Sequence, residues 1–269
     1  PNEGEKMDLG LKGKRALVIG ASRGLGYAVA NTLAAEGCRV AISSRNAEKL
    51  SVAAKVIADT QDIPVFALPA DISNASAPEK TIKQAVDALG GLDLLVTNAG
   101  GPPPGAFESF NEDDWAKGID LSLMGHVRLI KAALPYLRES DAASVLTITS
   151  YSVKQPVPNL ILSNSIRAAT VALTKSLSIE LGEENIRFNS ILPGWTKTER
   201  VTELLTARAQ ANDTSVAAEL SKQIADCPLG RMADPQEFAN PAVFLLSPAA
   251  SYITGVSLLV DGGISKGAM

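Results

Sequence analysis

Short, apolar, β-branched runs alternate with longer stretches of helical period from residue 15 onward. Runs of the first kind suit strands covered on both faces, and the stretches between them suit the crossover helices that cover them. Strands are predicted at Arg15 to Ile19, Arg39 to Ser43, Val65 to Leu68, Leu92 to Thr97, Ser144 to Thr149, Arg187 to Leu192 and Val256 to Val260. Helices are predicted over Gly24 to Glu36, Ala47 to Ala58, Ala77 to Leu89, Glu112 to Arg138 and Asn164 to Leu181. The implied fold class is α/β, with a doubly wound, seven-stranded parallel sheet and helices on both faces.

No repeat, low-complexity tract or charged linker breaks this order, so residues 1–269 are expected to form one domain. Within it, residues 1–10 read as an N-terminal extension. Residues 195–228 exceed an ordinary connection and read as a lid over a site. Gly101-Pro102-Pro103-Pro104-Gly105 follows a strand end, where it is either a stiff turn or a substrate contact.

Composition narrows the function classes. A hydrophobic share of 46% with only 4% aromatics implies an interior of Ala, Val, Leu and Ile. A net charge of −4 gives no basic field for a phosphate backbone, so nucleic acid is not an expected partner. Cys38 and Cys227 stand far apart with no metal-ligand spacing, so no disulfide framework and no metal site is expected, and the cytoplasm is the expected location. No apolar run reaches the roughly 18 residues that span a bilayer, and the polar start lacks the regions of a signal peptide, so no membrane association is expected. Met7 is a candidate start, with Pro1 to Lys6 added ahead of it.

The chemistry begins where the first strand runs into Gly20-Ala21-Ser22-Arg23-Gly24-Leu25-Gly26 and then a helix. Glycines allow a tight turn and close approach to a diphosphate, whose charge the free N–H groups of the helix start attract. A plain strand-to-helix turn is the competing reading. NAD sites place an acid about 20 residues past the first glycine to hold the adenosine ribose. Here the chain reads Ser43-Ser44-Arg45. With no carboxylate to repel it, a 2′-phosphate can be gripped by Arg45 and Arg23, so NADP(H) is expected in preference to NAD(H). Each arginine is otherwise a solvated surface charge.

Further blocks carry a resemblance to the short-chain dehydrogenase/reductase family. Thr97-Asn98-Ala99-Gly100 resembles its N-N-A-G motif, and Asn189-Ser190-Ile191-Leu192-Pro193-Gly194 followed by Thr198 its N-x-x-x-P-G and threonine. Pro228-Leu229-Gly230-Arg231, Thr254-Gly255 and Val260-Asp261-Gly262-Gly263 resemble its closing signature. The resemblance implies a Rossmann-type fold and a pyridine dinucleotide. It implies Asp71 and Ile72 at the adenine, Asn98, Ala99, Gly100, Pro193 and Gly194 at the cofactor pocket, and Ile191 and Thr196 to Thr198 flanking the nicotinamide. For Asn98 a purely structural role, joining neighbouring strands, stands beside cofactor contact.

The family's catalytic pattern is not kept. Ser150 matches its serine, but Ser163-Asn164-Ser165-Ile166-Arg167 occupies the Y-x-x-x-K position and Ser122 that of an earlier asparagine. Carbonyl reduction needs a proton for the alkoxide, which a tyrosine lowered by a lysine supplies and a serine does not. Arginine holds charge but relays no proton. Ser163 and Arg167, at i and i+4, still share a helix face. Ser150, Ser163 and Arg167 are therefore the candidate catalytic residues, with the proton from water or another side chain. Tyr151 and Lys154 lie near but on an element that does not simply replace the lost pair. His126, in an apolar helix, reads as packing rather than acid–base chemistry.

Two functions follow. The first is an NADP(H)-dependent oxidoreductase for a small-molecule carbonyl or alcohol, resembling the 3-oxoacyl-carrier-protein reductase branch. The second is a cofactor-binding pseudoenzyme, a sensor or assembly partner. The resemblance also implies a homotetramer. In the lid, Arg200 and Arg208 among apolar residues suit a partly anionic substrate, or else a solvated helix face.

Overall fold

The structure is a computed structural model that describes residues 7–267; the expected addition at residues 1–6 lies outside the described residues. The strands are β1 (Arg15–Ile19), β2 (Arg39–Ser44), β3 (Val65–Pro69), β4 (Leu94–Asn98), β5 (Ser144–Ile148), β6 (Arg187–Pro193) and β7 (Ser257–Val260). They form one parallel sheet in the order β3-β2-β1-β4-β5-β6-β7. The helices among the described residues are α1 (Gly24–Ala35), α2 (Ala47–Gln61), α3 (Ala77–Leu89), α4 (Glu112–Ile119), α5 (Gly125–Leu137), α6 (Ile161–Glu180), α7 (Glu199–Ala211), α8 (Val216–Ile224) and α9 (Pro235–Leu246).

Successive side chains of a strand leave opposite faces of the sheet, and β1 shows the consequence. Ala16 and Val18 enter a core shared with α1, α2 and α9, while Leu17 and Ile19 enter a second core with α3 and α5. Both faces are covered, so after Arg15 at its edge β1 reads as unbroken hydrophobic sequence, Ala16 to Ile19. Leu17 and Leu33 are fully buried, one in each core. Truncating either to alanine removes packing worth about 2–5 kcal/mol.

The chain adds β2 and β3 on one side of β1, then crosses back to place β4 on the other. In register, Val18 of β1 lies between Ile42 of β2 and Val96 of β4. Connections leave β1 and β4 in opposite directions at this switch point, which opens a crevice beyond their carboxyl ends.

The expected helix from Glu112 to Arg138 is interrupted. A π turn at Asp120–Met124 separates α4 from α5, and its Ser122 carbonyl accepts a 2.6 Å hydrogen bond from Thr170 of α6. Helix α6 begins at Ile161, ahead of the predicted Asn164. Three further helices, α7, α8 and α9, carry start signals in the sequence. Thr198 and Ser215 cap the first two, and Asp234 with Glu237 forms a capping box on the third.

Candidate functional site

Beyond β1 the chain turns through Gly20 and Gly24 at φ of +68° and +61°, left-handed values that side chains disfavour. Gly26 has no such angle, but a Cβ there would collide with the Gly20 carbonyl. Asn98, at the end of β4, donates 3.3 Å to that same carbonyl, so its amide ties β4 to the turn. The residue before α1, Arg23, gives the helix start no side-chain cap. Uncapped amides above closely packed glycines make a cradle that fits a diphosphate.

A cavity of about 630 Å³ opens at this turn and extends over the carboxyl ends of the strands. Its walls include Gly20, Ser22, Arg23, Gly24 and Leu25, with Ser44 and Arg45 beyond β2, Asp71 and Ile72 beyond β3, and Asn98, Ala99 and Gly100 at β4. Ser150, Ser163 and Arg167 line it as well, as do Pro193, Gly194, Thr196 and Thr198 beyond β6. Gly26 and Ile191 are not among these walls. Gly26 packs beneath the turn, and Ile191 is fully buried in the core.

At the β2 end, Arg45 and Lys49 share the wall with Ser44, whose buried Oγ has no hydrogen-bond partner among the described residues. Lys49 escaped the sequence reading because it lies inside α2, where a lysine is ordinarily a solvated helix residue. Arg23 is engaged rather than free: it donates to Glu199, and over 3.0 Å to Glu203. The two glutamates, at i and i+4, present both carboxylates on one face of α7. Asp71 is turned to its own loop, where Oδ1 accepts from the Ser73 amide at 3.1 Å and hydroxyl at 2.8 Å.

At the other end, Ser150 follows β5 in extended conformation, and its Oγ accepts from the Ser152 amide at 3.1 Å. Arg167 is 7% exposed. Its Nη1 donates to the Thr149 carbonyl at 3.1 Å and its Nη2 to that of Ala99 at 3.2 Å, so one guanidinium pins the ends of β4 and β5. Burial, and secondly the charge of Arg200, push its pKa down to about 10, which leaves it a cation at neutral pH. Tyr151 lines this end although Lys154 does not. The turn after Ser150 packs the tyrosine beside Trp195, and burial pushes its phenol above the usual range. His126 is fully enclosed, and burial, then Arg167, push its pKa down to about 3. Its place is the helix interior.

Thr149 Oγ1, Thr196 Oγ1 and Trp195 Nε1, all in residues lining the cavity, are buried with no partner among the described residues. Unpaired polar groups at a strand-end crevice are what a polar ligand satisfies. Among the described residues no cluster of three potential metal ligands occurs, and no helix is long and apolar enough to cross a membrane.

A family model described as "Enoyl-(Acyl carrier protein) reductase" matches residues 20–265. The chain belongs to the short-chain dehydrogenase/reductase family. Among curated members, the 7alpha-hydroxysteroid dehydrogenase of Escherichia coli (strain K12) is 32% identical over 95% of this chain and 96% of its own. A solved 7alpha-hydroxysteroid dehydrogenase complexed with NADH aligns with a TM-score of 0.87 at 31% identity, over 95% of this chain and 96% of that one. L-sorbose reductase from Gluconobacter frateurii, complexed with NADPH and L-sorbose, has a TM-score of 0.93 at 29% identity, over 97% of this chain and all of that one. A short chain oxidoreductase from Pseudomonas aeruginosa PAO1, bound to NADPH and containing an atypical catalytic center, has a TM-score of 0.86 at 27% identity, over 96% of this chain and all of that one. The parallel sheet with helices on both sides is thus the family's Rossmann-type fold, as the strand pattern predicts.

Proposed function

We propose that the protein is an NADP(H)-dependent oxidoreductase that interconverts a small-molecule carbonyl and its alcohol at a Ser150–Ser163–Arg167 centre. The observation that carries this reading is one continuous cavity, with the glycine cradle and Arg45 at one end and that centre at the other. NADPH-bound neighbours, one of them with an atypical catalytic center, support the coenzyme assignment.

In this reading Gly20, Gly24 and the start of α1 hold the diphosphate, Arg45, Lys49 and Ser44 the 2′-phosphate, and Asn98, Gly194 and Thr196 the nicotinamide side. When bound, the dinucleotide supplies or accepts a hydride at the nicotinamide ring. The chain's own part is to hold the reacting oxygen. Ser150 and Ser163 have hydroxyls that can donate to it, and the buried Arg167 cation lies beneath, where a low-dielectric setting strengthens its pull on developing negative charge. No wall residue there is a lysine-assisted tyrosine, so solvent or the Tyr151 phenol delivers the proton. A residues 195–228 lid, the cytoplasmic location, a homotetramer and kinship with 3-oxoacyl-carrier-protein reductases belong to the same proposal.

Stopped-flow oxidation of NADPH against a carbonyl panel tests it. Turnover with at least one carbonyl is expected, and failure with all of them defeats it. The bonds from Arg167 to backbone carbonyls favour a second reading, a coenzyme-binding pseudoenzyme in which the arginine is structural. Activity that appears only in Ser163→Tyr with Arg167→Lys supports that reading; a substantial native rate excludes it.

A further inference from the structure

The cavity end around Arg167 is unbalanced in charge. Arg167 has no carboxylate partner among the described residues, and its hydrogen bonds to protein go only to neutral carbonyls. Arg200, at the start of α7, lines the same cavity, and among the described residues its one ion-pair contact is at 4.0 Å from Glu203. That glutamate is already shared with Arg23. The mutual repulsion of the two arginines contributes, after burial, to the lowered pKa of Arg167.

Among the described residues no acid of the cavity wall pairs with Arg167, and Arg200 meets Glu203 at 4.0 Å, a carboxylate shared with Arg23. Of the acids that line the cavity, Glu199 and Glu203 are held by Arg23, and Asp71 by Ser73 at the β3 end. Asp261, whose charge reaches Tyr151, accepts instead from the amides of Gly263 at 2.9 Å and Ser265 at 3.1 Å. The Trp195 indole N–H is buried with no acceptor within hydrogen-bond distance among the described residues, so it is a further donor at this end. Arg208 stacks over the same indole at 5.6 Å and adds positive charge behind it. Val157, Leu160 and Leu204 add apolar surface to the wall of the same cavity.

We propose that this end selects an oxo or hydroxy compound bearing a carboxylate, bound between Arg200 and Arg167 within reach of the Trp195 N–H. A carboxylate fits because it is acceptor-only, and its two oxygens match the fork of a guanidinium. The anion neutralises two cations that otherwise repel, and the reacting oxygen falls to Ser150 and Ser163. The proposal rests on the oxidoreductase reading of the same cavity.

Binding rather than turnover is the test. NADP+ is first titrated by calorimetry, and protein saturated with it then receives phenylglyoxylate or methyl phenylglyoxylate, and 4-oxopentanoate or its methyl ester. Oxidised coenzyme and oxo compound cannot exchange hydride, so the heats report binding alone. At least one acid is expected to bind about tenfold tighter than its ester. Arg200→Gln is expected to bring that acid down to the affinity of the ester. Equal binding of acid and ester, or no binding by either, overturns the carboxylate site while a normal NADP+ isotherm leaves the coenzyme reading standing. No NADP+ isotherm sinks both. If Arg200→Gln weakens NADP+ and leaves the acid-to-ester ratio unchanged, the arginine serves the coenzyme and the proposal falls.

Discussion

Arg23, in the glycine turn after β1, donates a 3.0 Å hydrogen bond to Glu203 of α7 and so fastens the turn to the helix above the cavity. Glu199 takes the same guanidinium, and that bond holds its carboxyl below the usual range. The carboxylates compete with a coenzyme phosphate for Arg23. Glu199→Gln with Glu203→Gln frees the arginine, and NADPH affinity is expected to rise about tenfold relative to NADH. Calorimetric titration of both coenzymes checks this; an unchanged ratio shows that Arg23 takes no part in phosphate recognition.

Gly26→Ala places a methyl group against the Gly20 carbonyl, a contact between backbone atoms with no flexible side chain to yield. A loss of about 1–3 kcal/mol is expected from urea unfolding, with a weaker coenzyme isotherm because the cradle must open. A variant of native stability and affinity would show that the turn relaxes freely.

Asp93 accepts from Arg15 at both carboxylate oxygens and from Ser140 at 2.6 Å. Burial alone would raise its pKa, but these bonds hold it below the usual range. A depressed folded value means that the carboxylate stabilises the fold above the unfolded pKa, near 4. That contribution is lost as pH falls through the folded value. Asp93→Asn is expected to cost about 2 kcal/mol at pH 7, a modest figure because the Arg15 side chain is 28% exposed. The difference from the native protein should shrink in acid, as unfolding curves at pH 7 and pH 3 will show.

His126 is held neutral by burial, with its pKa pushed down to about 3. The unfolded chain takes up this proton near pH 6.5 and the folded chain does not. Stability is therefore full above pH 6.5 and falls toward pH 3 by about 1.4 kcal/mol per unit. His126→Leu is expected to flatten that part of the profile between pH 6.5 and pH 5. An unchanged slope would place the acid sensitivity elsewhere.

Local sequence was sufficient wherever one segment's own periodicity carried the information. Strand-length apolar runs bounded by helical periods gave the β1 to β7 pattern, and Gly20, Gly24 and Gly26 declared a turn that only glycine accommodates. That Ser163 and Arg167 line one cavity from the same helix was equally legible, because i and i+4 on a helix share a face. The break at Asp120–Met124 was not, since no proline marks it and it is fixed by Thr170 from another helix.

Partners distant along the chain were decided by tertiary structure alone. Nothing in the sequence ties Arg23 to Glu203 or Arg167 to the carbonyls of Ala99 and Thr149, because these bonds form only once the parallel strands are stacked in register. The same packing brings Tyr151, Trp195 and Arg200 to one cavity and encloses His126. Residue types set the local conformations and the chemistry available. The crossovers set which groups meet and how dry their surroundings are, and solvation at that scale is a property of the assembled layers.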